Sequence, residues 1–277
     1  MMATLLTTAC GAAGFAAVNL PAKLSDEVKV YEAAFGPDKL QKLDIYVPKN
    51  PAARPLDVVV FLYGGRWTTG TRQDYRFFGD KLARQGFIVV IPDYRKYPQV
   101  KFPVFAQDAA KAVAWTADHI ADYGGDAAHL HLAGHSSGAH IAALLTADQS
   151  YLKAEGKDAH TLIRSFAGLA GPYNFTPDEP DLKDMFGPPE KYPLMQVNTF
   201  IKGNEAPMLL MYGLKDDLVG PFNHEKLAAK IAETGGQVEV KTYKDLDHVD
   251  MMKTFTWVGP SSTVLADMVG FFRKADN

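Results

Sequence analysis

The residues best equipped for chemistry lie in Gly134-His135-Ser136-Ser137-Gly138. Before them runs the strand-like Leu130-His131-Leu132-Ala133, and after them the helix-like Ala139-His140-Ile141-Ala142-Ala143-Leu144-Leu145. Small residues two before and two after a serine let strand and helix approach closely around a sharp turn that lifts the hydroxyl above the sheet. Gly134 and Gly138 frame Ser136 and not Ser137, so Ser136 is the expected nucleophile. A serine hydroxyl attacks poorly until a base takes its proton, and that base needs an orienting acid. After such a turn the acid and then the histidine follow in chain order. His248, in Leu246-Asp247-His248-Val249, falls in a loop just past an expected strand. His160 lies close after the nucleophile helix and His224 at a helix start, while His119, His129, His131, His135 and His140 precede or adjoin the serine. For the acid, Tyr212-Gly213-Leu214-Lys215-Asp216-Asp217-Leu218-Val219 offers two neighbours, Asp216 and Asp217, after an apolar run. Acyl transfer also needs donors for a developing oxyanion. One is the N–H of Ser137, at the positive end of its helix. The other falls in Tyr63-Gly64-Gly65-Arg66-Trp67-Thr68-Thr69-Gly70, where glycines let backbone N–H groups turn inward, with Gly65 and Arg66 as the donors.

Elements that could position these groups alternate along the chain. Continuous apolar runs at 58–62, 87–91 and 207–212 suit strands buried on both faces, and further strands are expected at 129–133, 163–169 and 238–243. Strands at 28–34 and 41–47 flank Phe35-Gly36-Pro37-Asp38, a hairpin loop. Helices are expected at 78–85, 104–122 (stopped by Tyr123-Gly124-Gly125), 137–145, 223–234 and 262–274. Strand and helix in alternation imply an α/β fold, a mostly parallel central sheet with helices on both faces. Residues 171–203, with six prolines, break the rhythm and read as an irregular functional loop or small lid.

Bulk properties remove other classes. The 277 residues are 47% hydrophobic and 22% charged, with a net charge of −3 and scattered basic residues, so no electrostatic footprint for nucleic acid is present. One cysteine, Cys10, allows no intrachain disulfide, and the eight histidines lack metal spacing. His129 and His131 alternate as ordinary strand residues do. Residues 1–22 are apolar and uncharged yet too rich in small and polar residues for a membrane span. Leu6-Thr7-Thr8-Ala9-Cys10 resembles the end of a bacterial lipoprotein signal. Two readings stand side by side: an N-terminal arm of a cytoplasmic protein, or the remnant of an export signal on a periplasmic or lipid-anchored one. Residues 23–277 form the catalytic domain on either reading.

Together these segments resemble the carboxylesterase/lipase branch of the α/β-hydrolases, the branch with a His-Gly-Gly oxyanion motif. Arg66-Trp67-Thr68-Thr69-Gly70, Pro92-Asp93-Tyr94-Arg95, Phe102-Pro103 and Tyr123-Gly124-Gly125-Asp126 carry the resemblance further. The family spacing Gly-x-x-Asp-x-x-Val falls on Gly213, Asp216 and Val219 and selects Asp216. The motif's usual histidine is Tyr63 here, which puts loop geometry and specificity in question more than activity. The resemblance implies a Ser136–His248–Asp216 triad, an acyl-enzyme, an oxyanion hole of Gly65, Arg66 and Ser137, and no metal or organic cofactor. The expected partner is a small-molecule ester, small or short-acyl; a homodimer is left open. An arylformamidase or other amidase would use the same triad, and a non-catalytic binding protein is the alternative of another class. Trp67, Met185, Phe186, Met195, Phe222, Met251 and Met252 lie near the expected loops as lining for an apolar pocket.

Overall fold

The computed structural model of the protein describes residues 9–51 and 55–275. Eight strands form one sheet: β1 (Val28–Ala34), β2 (Lys42–Pro48), β3 (Leu56–Leu62), β4 (Ile88–Pro92), β5 (Gly125–His135), β6 (Ile163–Leu169), β7 (Met208–Gly213) and β8 (Val238–Tyr243). Their order is β1-β2-β4-β3-β5-β6-β7-β8. β1 and β2 are an antiparallel hairpin, β2 runs antiparallel to β4, and every later pairing is parallel. All residues of β4 and β7 are buried. Successive strand residues point to opposite faces, so burial of every one means that helices cover both sides.

The helices are α1 (Ala9–Val18), α2 (Leu20–Leu24), α3 (Arg76–Ala83), α4 (Val104–His119), α5 (Ser137–Ala147), α6 (Gln149–Ala154), α7 (Ala159–Leu162), α8 (Pro180–Phe186), α9 (Phe222–Glu233), α10 (Asp250–Lys253) and α11 (Val264–Ala275). None of the described helices is long and apolar enough to cross a membrane. Of the lipoprotein-like stretch, Leu6 to Thr8 lie outside the described residues. Just beyond α1, Asn19 is buried and its amide ties this end of the chain to the carbonyls of Gln73 and Asp74.

Two expectations need correcting. β5 begins at Gly125, not at 129, because Gly124 takes a left-handed φ of 83° that turns the chain straight back into the sheet beside Leu56. Residues 171–203 are irregular only in part: 171–179 and 200–203 form neither helix nor strand, and short helical turns lie between them. Pro180 occupies the first turn of α8, where its missing N–H costs nothing, and 3-10 turns follow at Pro189–Leu194 and Val197–Thr199. Met185, Met195 and Val197 from this stretch have no exposed surface and join the core.

Candidate active site

β5 delivers Ser136 and α5 carries the chain away. Between them Ser136 sits at φ 53°, ψ −127°, a strained conformation for a residue with a side chain. The flanking glycines make this turn fit. A Cβ on Gly138 would lie 2.0 Å from the Leu62 carbonyl oxygen, and one on Gly134 would lie 2.6 Å from the Ala139 nitrogen. The Ser136 N–H donates to the Leu169 carbonyl at 2.9 Å, tying the turn to the end of β6.

Ser136 Oγ lies 2.9 Å from His248 Nε2, and His248 Nδ1 lies 2.8 Å from Asp216 Oδ2. A carboxylate at Nδ1 fixes the proton there, which leaves Nε2 as an acceptor for the serine O–H. Asp216 follows β7 directly. Its other oxygen accepts the N–H groups of Leu218 and Val219 at 3.0 and 2.9 Å, so the acid is held from three directions. Burial opposes its ionisation, but the hydrogen bonds from His248 and from Val219 and Leu218 prevail and keep the carboxyl below the ordinary aspartate value. The Tyr212 hydroxyl donates to the Val219 carbonyl at 3.0 Å and pins the loop from below. Asp217 is exposed and lies outside this cluster.

The second donor loop leaves β3 and bends sharply. Gly65, Arg66 and Trp67 all have positive φ, at 141°, 54° and 58°. A Cβ on Gly64 would lie 2.9 Å from the Ser136 Cβ, so this loop and the serine turn are in direct contact. Among the described residues, the N–H groups of Gly65, Arg66 and Ser137 donate to no acceptor. The loop is braced by Tyr63, whose hydroxyl donates to Asp93 at 2.6 Å and whose ring stacks between Tyr75 and Tyr94. Burial pushes the Tyr63 hydroxyl well above its usual pKa, so it remains a donor. Asp93 also accepts from the Arg72 guanidinium at 2.6 Å and the Arg72 N–H at 2.8 Å, and Arg72 reaches Asp44 and Glu32 as well. Outside the loop, the Arg66 side chain pairs with Glu179, at 2.7 Å, and with Asp181, on and beside α8.

The apolar residues expected to line a pocket divide. Met185 and Met251 have no exposed surface and belong to the core, Met185 also bordering the larger of two hollows beside α8; Met195 and Met252 are buried likewise. Trp67 and Phe186 form a buried aromatic cluster, with ring centroids 5.0 Å apart, that Phe175 and His140 complete. Phe222, at the start of α9, is 41% exposed, and with Leu214, Leu218 and Val249 it is one of the exposed apolar residues in or beside the two loops that carry Asp216 and His248. Hollows of about 560 and 670 Å3 open beside α8, both lined by Phe102 and Phe186, and neither is lined by Ser136 or His248. Two histidines enter the surroundings of the site unannounced by the sequence reading. His135 Nε2 donates to the His248 carbonyl at 3.0 Å, and His140 Nε2 donates to the Met195 carbonyl at 2.6 Å.

The sheet order, the strained serine turn after β5 and the acid and histidine loops after β7 and β8 define an α/β-hydrolase fold. The chain belongs to the BD-FAE family, whose family model matches residues 43–231. It is 26% identical over 267 residues to a probable isoprenylcysteine alpha-carbonyl methylesterase of Oryza sativa subsp. japonica, covering 87% of this chain and 63% of the relative. Esterase LipC of Mycobacterium tuberculosis is 33% identical over 146 residues, 51% of this chain and 36% of that protein. The chain thus spans less than two thirds of the length of these curated relatives. Among solved structures, an inhibited esterase B from Lactobacillus rhamnosis superimposes with a TM-score of 0.82 at 22% identity, covering 97% of this chain and 94% of that one.

Proposed function

We propose that the protein is a serine carboxylesterase acting on small or short-acyl esters. The reading rests on one observation: the continuous Ser136–His248–Asp216 relay beside unoccupied N–H groups of Gly65, Arg66 and Ser137. His248 Nε2 takes the Ser136 proton as Oγ attacks the ester carbonyl, and Asp216 stabilises the imidazolium that forms. Charge developing on the carbonyl oxygen falls to the three N–H groups, which need no rearrangement at the moment of reaction. His248 then gives its proton to the leaving alcohol, and a water activated by the same ring releases the acid. The exposed Leu214, Leu218, Phe222 and Val249 would favour an apolar ester over a charged one. The relatives named as an esterase and as a methylesterase support ester hydrolysis, the second with a methyl group as its small alcohol part. Residues 171–203 border the donor loop on this reading, joined to it by the surface ion pairs of Arg66 with Glu179 and Asp181.

The test is hydrolysis of p-nitrophenyl acetate, butyrate and octanoate by wild type and Ser136→Ala. Turnover should fall steeply from butyrate to octanoate, and the substitution should cost roughly 10⁶-fold in kcat. A wild type inert on all three but labelled by a fluorophosphonate would discard the ester reading and turn attention to formyl amides. Without labelling, the fold would be a binding module.

A further inference from the structure

His135 occupies the residue between Gly134 and the nucleophile, and its side chain crosses to the other catalytic loop. Its Nε2 lies 3.0 Å from the main-chain carbonyl oxygen of His248, a residue 113 positions later, and the two rings lie 4.8 Å apart between centroids. The ring is buried, and its other nitrogen, Nδ1, has no hydrogen-bond partner. A carbonyl can only accept, so the neutral ring carries its proton on Nε2. Burial, reinforced by nearby His248, pushes its pKa down to about 3, so this tautomer persists across the working range. The nucleophile turn is thereby tied to the base in two places: by the reactive Ser136–His248 contact, and by a donor that holds the His248 main chain.

We infer that His135 is a positioning residue, whose Nε2–H bond to the His248 carbonyl sets the distance between the base and Ser136. The inference rests on His248 being the base. The tie matters because it joins the His248 main chain to the nucleophile turn, whereas the loop's bond from the Lys215 N–H to the Leu246 carbonyl, at 3.0 Å, holds it to the acid loop. Val249 is half exposed, and the N–H groups of Val249 and Asp250 are held only by Asp247, from the same loop. Without the donor, His248 keeps Asp216 but loses the restraint on its backbone. An ångström of drift at a reacting group costs about 10²-fold. Neutrality has a second use. When His248 becomes an imidazolium during turnover, a ring 4.8 Å away that carries no charge does not oppose it.

Two substitutions separate positioning from packing. His135→Phe keeps the ring and removes the donor; His135→Gln restores a donor at nearly the same reach. The Phe variant should lose roughly 10- to 100-fold in kcat with KM held, and the Gln variant should recover to within about threefold of wild type. Fluorophosphonate labelling rates of Ser136 should follow the same order, and they read the role even if no ester turns over. Wild type that fails to label would instead remove the premise that His248 serves Ser136. Wild-type kcat in the Phe variant overturns the inference, as does a Gln variant no better than Phe at an unchanged melting temperature. Should the Phe variant not fold, nitrogen-15 NMR of the wild type decides. One imidazole, absent from the Gln variant, must remain in the Nε2–H form from pH 5 to 8, and titration or the Nδ1–H form overturns the inference.

Discussion

Two buried aspartates follow strand ends in this molecule, and they do opposite things. Asp216, after β7, accepts from an imidazole and two backbone N–H groups, and among the described residues no guanidinium or ammonium pairs with it. Asp93, after β4, accepts from the Tyr63 hydroxyl and is neutralised by the Arg72 guanidinium. The first arrangement leaves a negative charge that only a protonated His248 can answer, which is what a step that creates an imidazolium needs. The second is already matched, so it stiffens the loop under Gly64 and Gly65 and has nothing left to offer a reaction. Whether a buried carboxylate works or braces is set here by what else touches it.

The comparison can be broken most sharply at Asp216. Asp216→Asn should keep the fold and lower kcat about 10⁴-fold, because an amide at Nδ1 favours the wrong tautomer of His248; steady-state kinetics checks this. Asp93→Asn should do the reverse. It removes one of three carboxylates from the buried Arg72, which keeps Asp44 and Glu32, and weakens the Tyr63 bond; at about 1–3 kcal/mol this should lower the melting temperature by roughly 3–6 °C with a far smaller change in kcat. Acid separates the two sides in another way. Burial holds His135 to a pKa of about 3 and His140 to about 4, against 6.5 for an unhindered ring. Below pH 6.5 the unfolded chain therefore takes up protons that the folded one refuses, so stability falls as pH drops towards 4, by up to about 1.4 kcal/mol per pH unit for each ring. His135→Gln should flatten that slope by one proton, measured by denaturation at pH 7, 6 and 5. The smallest effect belongs to Arg66→Ala. Its ion pairs with Glu179 and Asp181 are solvent-exposed and worth at most about 1 kcal/mol, so stability should hardly move and 1 M salt should mimic the substitution.

What the sequence disclosed follows the same division. Strands at 28–34, 163–169 and 238–243 match the observed bounds, because short stretches rich in apolar and β-branched residues and bounded by turns or helix signals leave few alternatives, while the continuous apolar runs at 87–91 and 207–212 come out one residue further on. Ser136, His248 and the pair Asp216 and Asp217 were visible because each stands where such a run ends. The helix at Pro180–Phe186 was hidden by its prolines, which read as breakers although one of them starts the helix. Met185 and Met251 were ambiguous because a methionine near a loop fits core and pocket alike, and only their packing decides. The Tyr63–Asp93–Arg72 brace and the His135 tie join positions far apart in sequence, so no local pattern announces them.

The order of the strands has a consequence for how the protein comes to life during synthesis. The serine turn and the donor loop are held by β3, β5 and β6, but the proposed acid leaves β7 and the proposed base follows β8, the last strand of the sheet. Residues up to 200 contain every strand that holds the serine turn and none that carries Asp216 or His248. On the proposed reading, a growing chain therefore has a complete catalytic site only once the last two strands of the sheet are in place.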